Sequence, residues 1–393
     1  MQLRKITSLL LLCCFISASL FAQKSQEPQE ILGVARENKS AAYYQEQSKL
    51  WQKETVKDSK YSYAYWQWYK AERSYLIRTS KKNWPNNRNE VYKKLSPIVA
   101  KAKKNVGQSF EYHFMEHTNT ITEGFAATEF LKKAYEIDPS RVESYDSMLI
   151  HYITTFDKKG AKEIAQKMLE ANFFSNANLM WNYNSLQTAE QNGVFISQGD
   201  MDGLPRWALQ YAEGIRPDVT VISKWLLGGE SYRNDLFKKI NIPAFKKTRA
   251  DFDNNQTKYV DAMVVHIMKN YKYKTYIGCG TPVSFFEKQE IEDDVYLVGL
   301  AFVYSKKGIN NIALTKENFE QKYDLEYLFN NFQKHEEDQM VKTWMNITYI
   351  PGLMKMKEHY EGLNESGKAN YYSTLIEQIA EDSGRRDEIM GWY

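Results

Sequence analysis

Two aspartates, Asp200 and Asp202, stand in "GDMDG" between a short apolar run, Gly193 to Gly199, and an amphipathic stretch, Leu204 to Ile215. Carboxylates at this spacing have two kinds of use. As structure, one of them caps the free N–H groups that open a helix, with Gly199 permitting a sharp exit from the strand and Pro205 sitting near the first turn. As chemistry, both converge on a metal, a sugar hydroxyl or a cationic group, because a loop at the carboxyl end of a parallel strand is where open α/β sheets hold ligands. A hard cation takes about 6–8 oxygen ligands, more than two aspartates supply. The stretch has neither the spacing of a calcium hand nor the glycine fingerprint of a dinucleotide loop. No metal and no cofactor is expected, and cap and ligand site both stay open.

Two other constellations carry chemistry-bearing residues. "HFMEH", His113 to His117, fits the H-x-x-E-H pattern of inverted zinc peptidases, in which both histidines bind zinc and Glu116 acts as base. No third ligand follows in a matching context, so the alternative is an ordinary helix end. Cys279 in "GCGTP" lies at the end of an expected strand, yet no motif places a histidine to activate it, and it reads as a structural thiol. "RPD", Arg216 to Asp218, reads as a turn between helix and strand.

The elements that must position these residues fall into four parts. Arg4 and Lys5 precede an apolar run from Leu9 to Phe21 that ends at Ala22, the pattern of an export signal over 1–22. The run is shorter than the roughly 20 apolar residues of a membrane span. The mature chain is therefore expected to be exported and soluble, periplasmic or associated with the cell envelope. Lipid anchoring at Cys13 or Cys14 would call for a small preceding residue, and Leu12 is large. Cleavage after Ala22 leaves Cys279 as the sole cysteine, so no internal disulfide is expected.

Residues 23–190 show helical periodicity with little glycine or proline. Within them Ala127, Leu131, Ala134 and Pro139 have the spacing of the second helix of a tetratricopeptide repeat, and Tyr152 and Ala161 fall where the next repeat would place equivalents. In residues 191–316 the period shifts. "GVFISQG" and "DVTVISKWLL" read as strands around a helix, "KYVDAMVVHIMKNY" as a helix, "KTYIGCG" as a strand, and "DDVYLVGLAFVYSK" as two strands around Gly299. Residues 317–393 return to helix. The fold class is mixed and mainly α: tetratricopeptide-like hairpins plus a small α/β module with a mostly parallel sheet.

The chain has a net charge of +3, which falls to about +1 without Arg4 and Lys5 and argues against nucleic acid as a partner. Its 28 Tyr, 19 Phe and 9 Trp read first as helix packing and second as a surface for sugars or peptides. Lysine-rich "KKLSPIVAKAKKN" reads as a solvated helix face.

The stretch "VFISQGDMDGLPRWALQYAEGIRPDVTVIS" resembles the soluble C-terminal region of a family of polytopic envelope proteins related to protein O-mannosyltransferases. There a strand, a Gly-Asp-Asn-Asp loop and a Pro-x-Trp-x-x-Gln helix lead to Glu-Gly-x-Arg-x-Asp-Val. The matching residues are Gly199, Asp200, Asp202, Pro205, Trp207, Gln210, Glu213, Gly214, Arg216, Asp218 and Val219. The similarity extends more weakly through "TYIGCGTP" and "YLVGLAFVYS", over about Leu179 to Lys306. Met201 replaces the asparagine and Gly203 a hydroxyl residue. Glycosyl transfer in such relatives is expected from a membrane-embedded part that this sequence lacks, so the resemblance implies the module and not the activity. The candidate ligand-binding residues at this loop and along its helix are Gly199, Asp200, Asp202, Trp207, Gln210 and Glu213. The function expected is a non-catalytic binding or scaffold protein of the cell envelope, with a protein or peptide partner on the helical repeats or a glycan. The alternative is an enzyme acting on envelope glycans or phosphorylated substrates through Asp200 and Asp202.

Overall fold

The computed structural model describes residues 27–32, 37–84, 86–120, 125–329 and 334–391. The expected export signal, with Cys13 and Cys14, lies outside them. Among the described residues no helix is long and apolar enough to cross a membrane.

Among the described residues seven α-helices precede the sheet-bearing part: α1 (Ala41–Lys57), α2 (Ser62–Thr79), α3 (Arg88–Val106), α4 (Phe110–Asn119), α5 (Phe125–Ile137), α6 (Tyr145–Thr154) and α7 (Lys158–Glu170). Each buries a stripe at helical spacing. On α3 the stripe is Val91, Leu95, Ile98, Ala102 and Val106, while Lys93, Lys94, Lys103 and Lys104 face solvent, as the lysine pattern predicts. The pairs α4/α5 and α6/α7 are the expected repeat-like hairpins. Ala127, Leu131, Ala134 and Ala161 are buried between helices. Gly160 is required there, because a Cβ would overlap the ring of Tyr152.

A further helix, α8 (Asn176–Thr188), leads into the sheet, whose strands are β1 (Val194–Ser197), β2 (Thr220–Ser223), β3 (Thr275–Gly278), β4 (Val295–Leu297) and β5 (Ala301–Tyr304). Their order is β2-β1-β3-β5-β4. β1 pairs in parallel with β2 and with β3, and β5 pairs antiparallel with β3 and with β4. The sheet is mixed: β5 alone opposes the other strands, because the hairpin at Gly299 turns it back.

The pleat sorts alternate residues to two cores. Phe195, Val221, Tyr276 and Val303 face α9 (Asp200–Glu213) and the preceding helices. Val194, Ile196, Ile222 and Ile277 face the other side, where α10 (Glu230–Lys239), α11 (Gln256–Asn270) and α12 (Val283–Lys288) contribute Leu236, Phe237, Met263, Ile267 and Phe286. α9 in turn packs on α6, α7 and α8, so the repeat-like helices form one outer layer of the α/β module.

After α13 (Asn311–Glu317) the chain closes with α14 (Ile350–Gly362), α15 (Ser366–Ser383) and α16 (Arg386–Met390). The α14/α15 pair is the expected terminal helix pair, joined by Leu353, Met356, Tyr360, Tyr372, Leu375 and Ile376. The turn Asn346–Tyr349 that leads into α14 reaches α8 through polar contacts: Trp181 Nε1 donates to Thr348 Oγ1 at 3.1 Å and Asn184 Nδ2 to the Tyr349 hydroxyl at 2.8 Å.

Gly299 has φ of 92°, and a Cβ there would meet the Tyr323 hydroxyl, which also accepts from the N–H of Leu300 at 3.0 Å. Gly299→Ala is expected to lower the unfolding free energy by about 2 kcal/mol, from the left-handed backbone and the displaced tyrosine. Urea denaturation measures it, and an unchanged midpoint would show that the hairpin tolerates a side chain.

Candidate functional site

β1 lies between β2 and β3, and the chain leaves it toward β2 before returning over it to β3. This reversal of direction opens a crevice at the carboxyl ends of β1 and β3. Gln198, Gly199 and Asp200 occupy one lip and Cys279 to Thr281 the other, joined by Gln198 Nε2 donating to Thr281 Oγ1 at 3.2 Å.

The two aspartates divide their roles. Asp202 accepts from the backbone N–H of Gln198 at 2.8 Å and of Gly199 at 2.7 Å, closing the loop that starts α9. It is the reciprocal half of a capping box, with the carboxylate three residues inside the helix reaching back to the residues before it. Gly199 is the N-cap, but its φ of −165° is ordinary extended backbone and a Cβ there would meet nothing within 4 Å. The expected conformational need for glycine at the exit is therefore absent.

Asp202 is also 3.7 Å from the guanidinium of Arg206, one turn on. Arg206 is fully buried. It donates to Ser197 Oγ at 2.8 Å and Ser185 Oγ at 2.7 Å, and lies over the Phe195 ring at 4.0 Å from its centroid. Burial draws its pKa down to about 10, against the pull of Asp202.

Asp200, the first residue of α9, makes no hydrogen bond or ion pair among the described residues. More than a third of its surface is open, although protein atoms lie near enough on its other side to desolvate it in part. Desolvation in the recess, then the charges of Asp146 and Asp202, raise its pKa to about 6, while Arg73 and Arg88 pull the other way. The charges that act on it come from Arg73 in α2, Arg88 at the start of α3 and Asp146 in α6. Both arginines lie against Trp84, at 5.1 and 5.0 Å from its centroid. The recess is thus bounded by the carboxyl edge of the sheet and the helical region.

The other candidates are not gathered here. Trp207 Nε1 donates to the Val221 carbonyl at 3.2 Å beneath the sheet. Gln210 Nε2 donates to the carbonyls of Arg216 and Val219, each at 2.8 Å, holding the turn into β2. Glu213 is exposed at the opposite end of α9, roughly 20 Å from Asp200 at 1.5 Å per residue. Of the expected set, Gly199, Asp200 and Asp202 lie together, and only Asp200 faces the recess with its carboxylate unengaged.

Sequence reasoning missed Arg73, Trp84, Arg88 and Arg206. Arg206 could have been noticed as a lone charge four residues from Asp202 among Leu204, Trp207 and Ala208. Trp84 stands out in the polar linker "SKKNWPNNR", but nothing in its spacing points across to Asp200.

In the zinc-peptidase pattern two of the three side chains already have protein partners. His117 Nδ1 faces the Ala127 carbonyl at 2.9 Å, and Glu116 accepts from the Tyr112 hydroxyl at 2.9 Å. No group of three or more metal-ligating side chains is present among the described residues. Cys279 donates its thiol to the Thr348 carbonyl at 2.8 Å, and burial raises its pKa to about 12, so it stays a thiol.

The division of roles has opposite stability signatures. Asp202→Ala strands two N–H groups and removes the counter-charge of a buried arginine, an expected loss of about 2–4 kcal/mol. For Asp200 the folded-state pKa is raised, so the folded protein holds an extra proton between the ordinary carboxyl range and pH about 6, and stability falls as pH rises through that window. Asp200→Asn is expected to stabilise the protein near pH 7 by roughly 1 kcal/mol, after discounting for solvent screening, and to change little near pH 4. Urea titrations at both pH values test this, and destabilisation by Asp200→Asn near pH 7 would contradict the assignment.

A comparison with curated proteins finds no match. A family model described as TMEM260-associated domain 2 matches residues 179–357, beginning within α8 and ending within α14. It takes in the sheet, Asp200, Asp202 and Arg206, and it reaches beyond the Leu179 to Lys306 span of the sequence resemblance. Arg73, Trp84 and Arg88 lie outside it. The match takes in less than half of the chain, so it shows what residues 179–357 are similar to.

Proposed function

We propose that the protein is an exported binding or scaffold protein of the cell envelope, non-catalytic, that receives a glycan or a peptide segment of a protein partner in the recess around Asp200. The observation that carries this reading is the division of the aspartates. Asp202 is committed to the loop backbone and to Arg206, leaving one unengaged carboxylate opposite two arginines and a tryptophan. A single carboxylate with an aromatic and cationic wall can accept hydroxyl or amide donors and stack a ligand face. Acid–base catalysis by an Asp200/Asp202 pair would need both groups available. The export part of the reading rests on residues 1–22.

A second reading has one specific observation in its favour. A carboxyl raised to about 6 suits a general acid, so an enzyme acting on envelope glycans or phosphorylated substrates would work through Asp200 alone.

Thermal-shift titration of the mature protein with envelope glycans and peptides tests both readings. A ligand that binds the folded state adds about 2.7 kcal/mol to the unfolding free energy at a hundredfold excess over its dissociation constant, and the midpoint rises accordingly. The expected outcome is a saturable shift that Asp200→Ala abolishes, with the bound compound recovered unchanged. Recovery of a cleaved product, lost in Asp200→Asn, would favour the enzyme. No shift with any compound would end the reading of this recess as a binding site.

A further inference from the structure

Arg73 and Arg88 form an unusual pair. Their guanidinium groups share one indole, that of Trp84, and neither makes a hydrogen bond or ion pair among the described residues. The Nε of each is buried without a partner. The ring face offsets part of the cost of bringing two like charges together, but it offers no hydrogen-bond acceptor in the plane of either guanidinium. Burial and the charge of Arg73 pull the pKa of Arg88 down, with Tyr92 and Asp200 opposing.

Beside them lies a second, independent vacancy of hydrogen bonding. Asn87 is the N-cap of α3 by position, but it makes no cap bond. It is completely buried, and both its Oδ1 and its Nδ2 lack partners. A buried amide left unpaired costs about 1–3 kcal/mol, and an uncapped helix start presents free N–H groups with the positive end of the helix dipole. The linker that carries Trp84, Asn87 and Arg88 is tied to the α/β module, since Asn86 Oδ1 accepts from the N–H of Gln256 at 3.0 Å.

We infer that Arg73, Arg88 and Asn87, grouped around Trp84 across the recess from Asp200, form a subsite for the anionic group of a polyhydroxylated ligand: a sugar bearing a phosphate or a carboxylate. This deepens the binding reading above and rests on it. An oxyanion supplies the in-plane acceptors that the guanidinium groups lack and completes the start of α3. Asp200 repels that group and accepts hydroxyl donors, so the two walls orient the ligand, with its charge toward α2 and α3 and its hydroxyls toward the carboxyl edge of β1. Trp84 offers its ring to the sugar or holds the arginines in place.

Isothermal titration of the mature protein at low salt, with glucose 6-phosphate, glucuronate, glucose and inorganic phosphate as probes, tests the assignment. At least one anionic sugar is expected to bind tenfold or more tightly than glucose and more tightly than inorganic phosphate, which has no sugar hydroxyls for Asp200. The stronger of the two sugars identifies the anionic group. Arg88→Gln is expected to weaken that sugar at least tenfold and Arg88→Lys less, with unfolding midpoints measured alongside. Asn87→Ala separates binding from folding: it removes an unpaired buried amide, so it should raise the midpoint while weakening the anionic sugar. Glucose binding as well as its phosphate, unaffected by Arg88→Gln, would overturn the anionic subsite and leave the binding reading standing. An acidic peptide binding more tightly than every sugar would overturn the ligand class, and no binding by any probe, glycan or peptide would overturn both.

Discussion

The arrangement depends on a charge that folding has taken wholly out of water. The guanidinium of Arg206 is fully buried, and an ion in that position is tolerated only with partners at fixed places. Its partners come from three elements: Ser185 on α8, Ser197 at the end of β1 and Asp202 in the first turn of α9. Gathering these partners around one side chain sets the helix before the sheet, the central strand and the helix after it in a single geometry, with the Nε of Arg206 alone left unpaired. Arg216 repeats the device nearby. It forms two hydrogen bonds to Asp218, at 2.9 and 2.8 Å, and donates to the carbonyls of Leu186 and Ala189 at the end of α8. Two arginines inside one matched stretch thus join the α/β module to the helix that precedes it.

This constraint has a consequence for the recess. Because Asp202 is held by Arg206 and by two backbone N–H groups, the loop cannot rotate to engage Asp200 in the same way. Asp200 is left at the crevice, close to Asp146 and Asp202, where desolvation and like charge raise its pKa. Opposite it, Arg73 and Arg88 are crowded together without acceptors. Both walls carry local electrostatic cost in the free protein, and such cost is characteristic of places where a ligand is bound. The rest of the molecule offsets it, with aromatic and aliphatic cores on both faces of the sheet and between α14 and α15.

The departures from the sequence reading have particular causes. Trp207 and Gln210 were expected near a ligand because they lie in the same motif as the aspartates. Their side chains instead bond to carbonyls around β2, since a helix packed on a sheet turns those positions inward. His113, Glu116 and His117 have the spacing of a zinc motif, but spacing along one helix cannot show that Ala127 and Tyr112 would occupy two of the three groups. Gly199 was expected to relieve a sharp turn, and the turn is made by ordinary extended backbone with the Asp202 carboxylate holding it.

Local pattern by itself determined the elements: the helical stripes, the repeat-like small residues at Ala127, Ala134 and Ala161, the short apolar run of β1 and the terminal helix pair. These follow from periodicity, which neighbouring residues encode within a few turns. It also carried the loop at the end of β1 and the choice between cap and ligand for its aspartates. Tertiary structure alone decided that choice, because it depends on which groups arrive from far along the chain. Arg206 lies four residues from Asp202, and its burial comes from packing against Phe195 and Trp181. Arg73 and Arg88 reach Asp200 across more than a hundred residues of sequence, and no period or motif records a meeting made only when the helical hairpins close on the sheet edge.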